Sequence, residues 1–295
     1  MSEGETKNYI QKAETWASSL WEMARTRWPE RVGQDKNYRK HVVHPVLEKL
    51  LRRWLHCGIR ILDLGCGDCS LLEDSRFGDR IRMGGSYLGI DISSELIEKA
   101  VSRHKGKEIC FLQGDLADPA LAGQISGVGK DWNAVLSVFV IQEVPDLDTF
   151  LKNLSGIVSP GCLIIVVTVH PEFAEWLLNE GRMWVEKDLN PGSDNEGLWQ
   201  WAGYYPIVDE PHEPFYLPYF HRSIEDYTEA FSRAGLKVSE IRGIPDRKLD
   251  LPSLRERRIS PFIQFETNLY WPRIVEEPSA MVITAVKEGI HGKGC

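Results

Sequence analysis

The chain has no long apolar run. Its first thirty residues mix Glu3, Glu5, Lys7, Lys12 and Glu14 with Trp16 and Trp21, so neither a secretory leader nor a membrane span is expected. Cysteine is scarce and scattered, six in 295 residues, which fits a reduced cytoplasmic protein better than a disulfide scaffold. Basic charge is in deficit as well. Against 43 Asp and Glu stand 35 Lys and Arg, a net charge of -8, and that balance repels a phosphate backbone unless cations gather on one face. Arg25, Arg27, Arg31, Lys36, Arg39 and Lys40 form one basic run, and Arg255, Arg257 and Arg258 another; solvated helix faces account for both more simply. Membrane partners are thereby excluded and nucleic acid disfavoured. A hydrophobic content of 42% still allows a large core, as one big domain or one domain with an inserted cap.

The stretch Ile59 to Ser70 organises what is present. Ile59, Ile61, Leu62 and Leu64 read as a buried strand, followed by a glycine-containing turn and the apolar pair Leu71 and Leu72. Gly65 and Gly67 let the backbone turn sharply and lie against a ligand, with helix-entry N–H groups facing it. Asp63 is a carboxylate at the strand's carboxyl end, where ligands sit in open α/β sheets. A nicotinamide-binding turn would need a third glycine at position 70, where the chain has Ser70. Cys66 and Cys69 have the Cys-x-x-Cys spacing, but they lie inside the turn without a second pair elsewhere, so packing is favoured over a metal or redox role and no metal is expected.

Further strands end in acids. Ser86 to Ile92 carries Asp91, placed to accept both ribose hydroxyls of a nucleoside, and Ser94 is positioned to cap the helix after it. Ile109 to Leu116 ends in Gly114-Asp115, with capping of a helix as the alternative role for Asp115. Trp132 to Val140 gives a fourth strand with Ser137, Val138 and Phe139 at its end, and Leu163 to Val169 is a nearly continuous apolar fifth. Leu147, Phe150, Leu151, Leu154 and Val158 fall at helical spacing between the fourth and fifth.

Asp63-Leu64-Gly65-Cys66-Gly67-Asp68, followed by these strand ends in this order, resembles the class I S-adenosylmethionine-dependent methyltransferases. It departs from them at Cys69, where that family usually has glycine, and matches loosely at Asn133, where an acid is common. The resemblance covers residues 36–170 well and 218–288 more loosely. It implies an α/β fold: a Rossmann-like seven-stranded, mostly parallel sheet with helices on both faces, Leu236–Ile244 and Ala280–Lys287 as the final strands, and the last strand antiparallel. It further implies S-adenosylmethionine as cofactor, with Asp63, Gly65, Gly67, Asp91, Ile92, Gly114, Asp115, Leu116, Ser137 and Val138 around it. Tyr38 or Arg39 would approach its methionine end.

The expected organisation is an N-terminal helical segment (1–58), the cofactor-binding core (59–169), an inserted cap (170–222), and the rest of the core (223–295) with a second insertion at 245–278. Residues 8–28 read as an amphipathic helix carrying Trp16, and in related enzymes such segments fold over the active-site mouth. The connection from 170 to 220 is too long for a turn and dense in aromatics. Trp176, Trp199, Trp201, Tyr205 and Tyr219, with Trp16 and Phe139, are the candidate walls of a dry pocket for a small aromatic or polycyclic acceptor; a satellite core is the alternative role for most of them. Candidate general bases for hydroxyl methylation are His170, then His221 and His212, with Glu143 as the carboxylate alternative. His221 also adjoins a capping-box pattern at Ser223. A nucleic-acid methyltransferase and a non-catalytic cofactor-binding module remain the rival readings.

Overall fold

The computed structural model describes residues 3–24, 39–52, 55, 58–115, 117–129, 131–189, 198–209, 212–244 and 278–288. Tyr38, Leu116 and the second insertion up to position 277 lie outside them, as do the side chains at 41, 207–209 and 212–214, His212 included.

Seven strands form one sheet in the order β3-β2-β1-β4-β5-β10-β9. They are β1 (Arg60–Leu64), β2 (Ser86–Asp91), β3 (Ile109–Gln113), β4 (Ala134–Val138), β5 (Leu163–Val169), β9 (Leu236–Ile244) and β10 (Ala280–Lys287). The pairs among β1 to β5 are parallel, and β10 runs antiparallel to both its neighbours. This is the sheet expected from the sequence.

Both faces of the sheet are covered, because successive side chains on a strand point to opposite sides and both sets are apolar. Ile61, Leu136, Val167 and Val282 pack on one side with α2 (His44–Leu51) and α3 (Ser75–Arg82) through Leu47, Leu51, Phe77 and Ile81. Their neighbours Leu62, Val135, Val166 and Ile283 face α5 (Ala120–Val128), α6 (Leu147–Ile157) and α8 (Ile224–Arg233), meeting Ile125, Phe150, Leu154 and Phe231. Pro45 stands in the first turn of α2, where its missing N–H has no helical partner to lose. The cap of α4 (Ser94–Arg103) is Ser93 rather than Ser94: its hydroxyl accepts from Leu96 N at 3.3 Å. At α8 the capping box forms, with Asp226 N 3.1 Å from Ser223 Oγ and Ser223 N 2.7 Å from Asp226 Oδ2.

The connection after β5 is more regular than its composition implied. It contains α7 (Pro171–Asn179) and an antiparallel sheet of β6 (Trp184–Val185), β7 (Trp201–Asp209) and β8 (His212–His221). Pro206 lies within β7 and Pro218 within β8. In the β7–β8 register Tyr204 faces Pro218 and Pro206 faces Tyr216, the same alternating set of pairs, so both prolines turn the missing donor away from the ladder. The first helix, α1 (Glu3–Ala24), lies against β8. Ala13, Ala17, Trp199, Ala202 and Phe220 form a small separate core there. Among the described residues no helix is long and apolar enough to cross a membrane.

Trp199 belongs to that satellite core. It is 3% exposed, stacks on Tyr9 and donates its indole N–H to Leu189 O at 3.0 Å. Trp199→Phe should cost about 1–2 kcal/mol, because the Leu189 carbonyl loses the indole donor while most of the ring packing survives. Urea unfolding checks this, and an unchanged midpoint would be the contrary result.

Candidate active site

The loop after β1 is shaped by close approaches. Gly65 and Cys66 both donate to Ile90 O, at 2.8 and 2.9 Å, which draws the loop onto the end of β2. Gly65 has φ +73°, and a Cβ there would lie 2.2 Å from Val140 Cγ2. Gly67 has φ +58°, and a Cβ there would meet no protein atom. Cys69 takes φ 59° and ψ 36°, so the turn keeps a left-handed residue where the sequence departs from glycine, at a steric cost a cysteine rarely bears. The Cys66 and Cys69 side chains are buried and unbridged, and burial pushes both thiols up. That is the opposite of a reactive thiolate environment.

Two buried carboxylates anchor this region. Asp91 accepts from Gly67 N at 2.8 Å and Ser93 N at 3.0 Å, tying the glycine loop to the start of α4. Burial raises its pKa, and the two amide hydrogen bonds pull the other way. Asp63 accepts the Tyr87 hydroxyl proton at 2.6 Å. Its pKa is pushed up to about 6, first by burial, with the Tyr87 hydrogen bond and the Arg39 charge opposing.

A cavity of about 390 Å³ opens over the carboxyl ends of the strands. Gly65, Gly67, Asp91, Ile92, Gly114, Asp115, Phe139 and Glu143 line it, so the structure brings eight of the candidate site residues to one space. Ile92 is 53% exposed at its lip. Asp115 Oδ1 accepts from Ala117 N at 2.8 Å, the local-turn role, while still bordering the cavity. Phe139 has φ 57°, an outlier for a bulky side chain, and its N–H donates to Val167 O at 2.7 Å. Asp63 lies under the loop. Ser137 is buried, and Val138 packs into the core on the α2 side.

Of the proton-transfer candidates whose side chains are described, only Glu143 borders the cavity. It accepts from Tyr205 Oη at 3.2 Å and from Gln142 Nε2 at 3.3 Å, and Gln142 Oε1 accepts from Thr168 Oγ1 at 2.9 Å. Burial pushes the Glu143 pKa up to about 8, against the Tyr205 hydrogen bond and the Arg39 charge. His170 begins α7 instead, with its backbone N–H on Ser279 O at 3.1 Å and its ring largely buried. His221 is fully buried, stacked on Trp201 at 4.7 Å with its Nε2 3.2 Å from Glu175 Oε1. Burial lowers its pKa despite that carboxylate.

The expected acceptor walls separate in the same way. Trp16, Trp176, Trp199, Trp201 and Tyr219 pack within the cap and against α1, and Tyr205 reaches the cavity region through its hydroxyl contact with Glu143. The wall that sequence reasoning missed is another stripe of α1, carrying Glu14, Ser18, Trp21 and Glu22. Its signal was the spacing of Glu14, Ser18 and Trp21, a second helical stripe beside the apolar one. Glu14 is pushed up by burial and then by the like charges of Asp115 and Asp146, and all three carboxylates line the cavity. Arg39 also lines the cavity, with its guanidinium carbon 5.7 Å from the Phe139 ring centre.

The strand order, the loop after β1 and the carboxylates at successive strand ends are those of the class I methyltransferase fold. Residues 62–164 match the family model described as methyltransferase domain. Among curated relatives, the ubiquinone biosynthesis O-methyltransferase of Brucella anthropi is 30% identical over 115 residues, 38% of this chain and 42% of that protein. Its counterpart from Chelativorans sp. is 33% identical over 115 residues, 38% and 41% of the two chains. This chain thus spans about two fifths of the length of these relatives. Among solved structures, an S-adenosylmethionine-dependent methyltransferase from Methanosarcina mazei superposes with a TM-score of 0.50 at 16% identity, covering 81% of this chain and 97% of that one. A chain from the complex of the Haloferax volcanii Trm112 methyltransferase activator with a methyltransferase does so at 0.50 and 19%, covering 84% and 95%.

Proposed function

We propose that the chain transfers a methyl group from S-adenosylmethionine to a hydroxyl of a small aromatic acceptor, with Glu143 as the proton acceptor. The observation that carries this reading is the buried Glu143 carboxyl on a cavity also lined by Phe139 and Trp21. The cavity fits the cofactor: Gly67 faces open space, Asp91 is a buried carboxylate at its side, and apolar Ile92 stands exposed at its lip. Asp91 would take the ribose hydroxyls, Gly114, Asp115 and Ile92 the adenine, and Asp63 and Arg39 the amino and carboxylate groups of the methionine end. When bound, the cofactor supplies a methyl group already activated by a sulfonium. The protein contributes alignment and proton removal. Glu143 would take the hydroxyl proton as the acceptor oxygen bonds to the methyl carbon and the methyl–sulfur bond breaks, its electron pair staying on what becomes a neutral thioether; a sulfonium charge nearby would lower the Glu143 pKa from about 8 toward neutrality. The O-methyltransferase names of the curated relatives support oxygen as the accepting atom. Among the described residues Cys66, Cys69, Cys110 and Cys162 are unbridged, which fits a cytoplasmic setting.

The test is incubation with methyl-labelled cofactor and a panel of phenols, catechols and aromatic amines, followed by mass spectrometry. Label on the phenolic compounds is the expected result. Label confined to amines would move the accepting atom to nitrogen, and no transfer by a protein that binds the cofactor would sink the enzymatic reading.

Glu143 also gives a pH prediction in the empty protein. Its folded pKa of about 8 lies above the ordinary glutamate value of 4.5, so between those values the folded state holds the extra proton and stability falls as pH rises. Glu143→Gln removes that dependence. The variant should melt higher than the parent at pH 8, with the gap closing toward pH 5, while methyl transfer is lost. Parallel melting curves across this range check it, and a pH-independent difference would contradict the assignment.

A further inference from the structure

The glycine loop and Asp63 share a partner that lies inside the sheet. Tyr87, on β2, is 1% exposed, and its Oη stands 2.6 Å from Asp63 Oδ2 and 3.2 Å from Cys69 Sγ. A phenol has one proton. Donated to Asp63, it leaves the oxygen as an acceptor, so the Cys69 thiol must be the donor in the second contact. Burial raises the Cys69 pKa and keeps that proton in place. The hydrogen bonds therefore run in one direction, from Cys69 S–H to Tyr87 O–H to the Asp63 carboxylate. This series of bonds ends on one oxygen of Asp63, Oδ2.

We infer that Tyr87 is a positioning residue for the amino-acid end of the cofactor, holding Asp63 oriented and ionised to receive the cofactor's ammonium group. This rests on the cofactor reading proposed above. Tyr87 touches neither the cavity nor the reacting atoms, and its effect passes through Asp63. The side chain is costly to place there, since a fully buried phenol must find a polar partner; phenylalanine would fill the same apolar space. Cys69, strained into a left-handed turn, is the other residue the hydroxyl satisfies, which ties the path of the glycine loop to the orientation of the carboxylate.

The charged and titratable groups facing Asp63 are Tyr87 and Asp91 from β2, Arg39 from the turn before α2, and Cys66 and Cys69 from the loop. Tyr87 and Arg39 favour the carboxylate form; burial and Asp91 oppose it. Cofactor binding through an ammonium group needs Asp63 ionised, so affinity falls as the solution is acidified through its titration. Removing the Tyr87 hydroxyl should move that fall to higher pH.

The experiment is calorimetry of the intact protein and of Tyr87→Phe between pH 5.5 and 7.5, with two probes. S-adenosylhomocysteine carries the amino-acid end, and 5′-methylthioadenosine lacks it. For S-adenosylhomocysteine the variant's acid limb should start about one pH unit higher, so that it binds roughly tenfold more weakly at pH 6.5, as expected from loss of a hydrogen bond to a charged group. For 5′-methylthioadenosine the affinity should stay within about twofold at every pH. In an Asp63→Asn background, Tyr87→Phe should produce no further change, the signature of action through Asp63. An unshifted S-adenosylhomocysteine profile, an equal loss for both probes, or an undiminished effect in the Asp63→Asn background overturns the assignment. Failure of the parent protein to bind either probe refutes the cofactor reading itself, and that result is separate from any difference between parent and variant.

Discussion

Arg222→Met is expected to destabilise the protein by about 3 kcal/mol, although the substitution removes a buried charge. Arg222 is 1% exposed, and its pKa is lowered by burial. Its Nε donates to Leu198 O at 2.8 Å, Nη2 to Val144 O at 2.9 Å and Pro145 O at 2.8 Å, and Nη1 to Ile141 O at 3.4 Å. The five donors of a guanidinium fork suit such a set of carbonyls, and no other side chain offers them. Methionine fills similar space and relieves the desolvation of the charge. It also strands several carbonyls, each costing about 1–3 kcal/mol when left unpaired in the interior, so the loss outweighs the relief. Lysine should recover only part, since its point charge cannot reach both Leu198 and Pro145. The three residues 141, 144 and 145 bracket Glu143, so the clamp joins the end of β8 to the segment that carries the proposed base. Denaturant unfolding of both variants measures the effect, and a midpoint equal to the parent's would remove Arg222 from this role.

The sequence made the core legible because β1, β2, β4, β5 and β10 are largely apolar on both faces and end at turns. The carboxylates Asp63, Asp91 and Asp115 stand at successive strand ends, and that order carries more information than any one motif. The cap was harder to read. Its aromatics alternate across β7 and β8, but Pro206 and Pro218 mask the strand signal, and only the pairing register shows that neither needs its missing donor. Position along the chain does not separate His170 from Glu143 as candidate bases. His170 follows β5, and it starts a helix with its ring largely buried. Glu143 follows the fourth strand, and a short turn from Ile141 to Glu143 delivers it to the cavity. A linear sequence does not display that difference, because both residues lie just beyond a strand end.

Asp91→Ala should weaken S-adenosylmethionine binding by about 3 kcal/mol, roughly a hundredfold, on the proposed placement of the ribose. A carboxylate that accepts hydroxyl hydrogen bonds contributes about 1.5–3 kcal/mol for each, and two ribose hydroxyls are within its capacity. The same side chain already accepts from Gly67 N and Ser93 N, so alanine additionally releases the glycine loop from the start of α4. Asp91→Asn separates the two functions. Its amide oxygen can still accept one backbone N–H and hold the loop, but it is neutral, so its bonds to the ribose are weaker and the expected loss is about tenfold. The stability of the empty protein should follow a different order. Burial raises the Asp91 pKa, which means the folded state binds a proton more tightly than the unfolded chain and the ionised group weighs against folding above its unfolded pKa. Asparagine removes that charge while keeping an acceptor, so Asp91→Asn should melt at or above the parent temperature near pH 8, where Asp91→Ala, with two amides stranded, should melt below it. Calorimetric affinities set beside melting curves for the three proteins decide the matter. Equal cofactor affinity in all three would place the ribose elsewhere, and equal losses in the two variants would show that charge rather than loop anchoring governs the site.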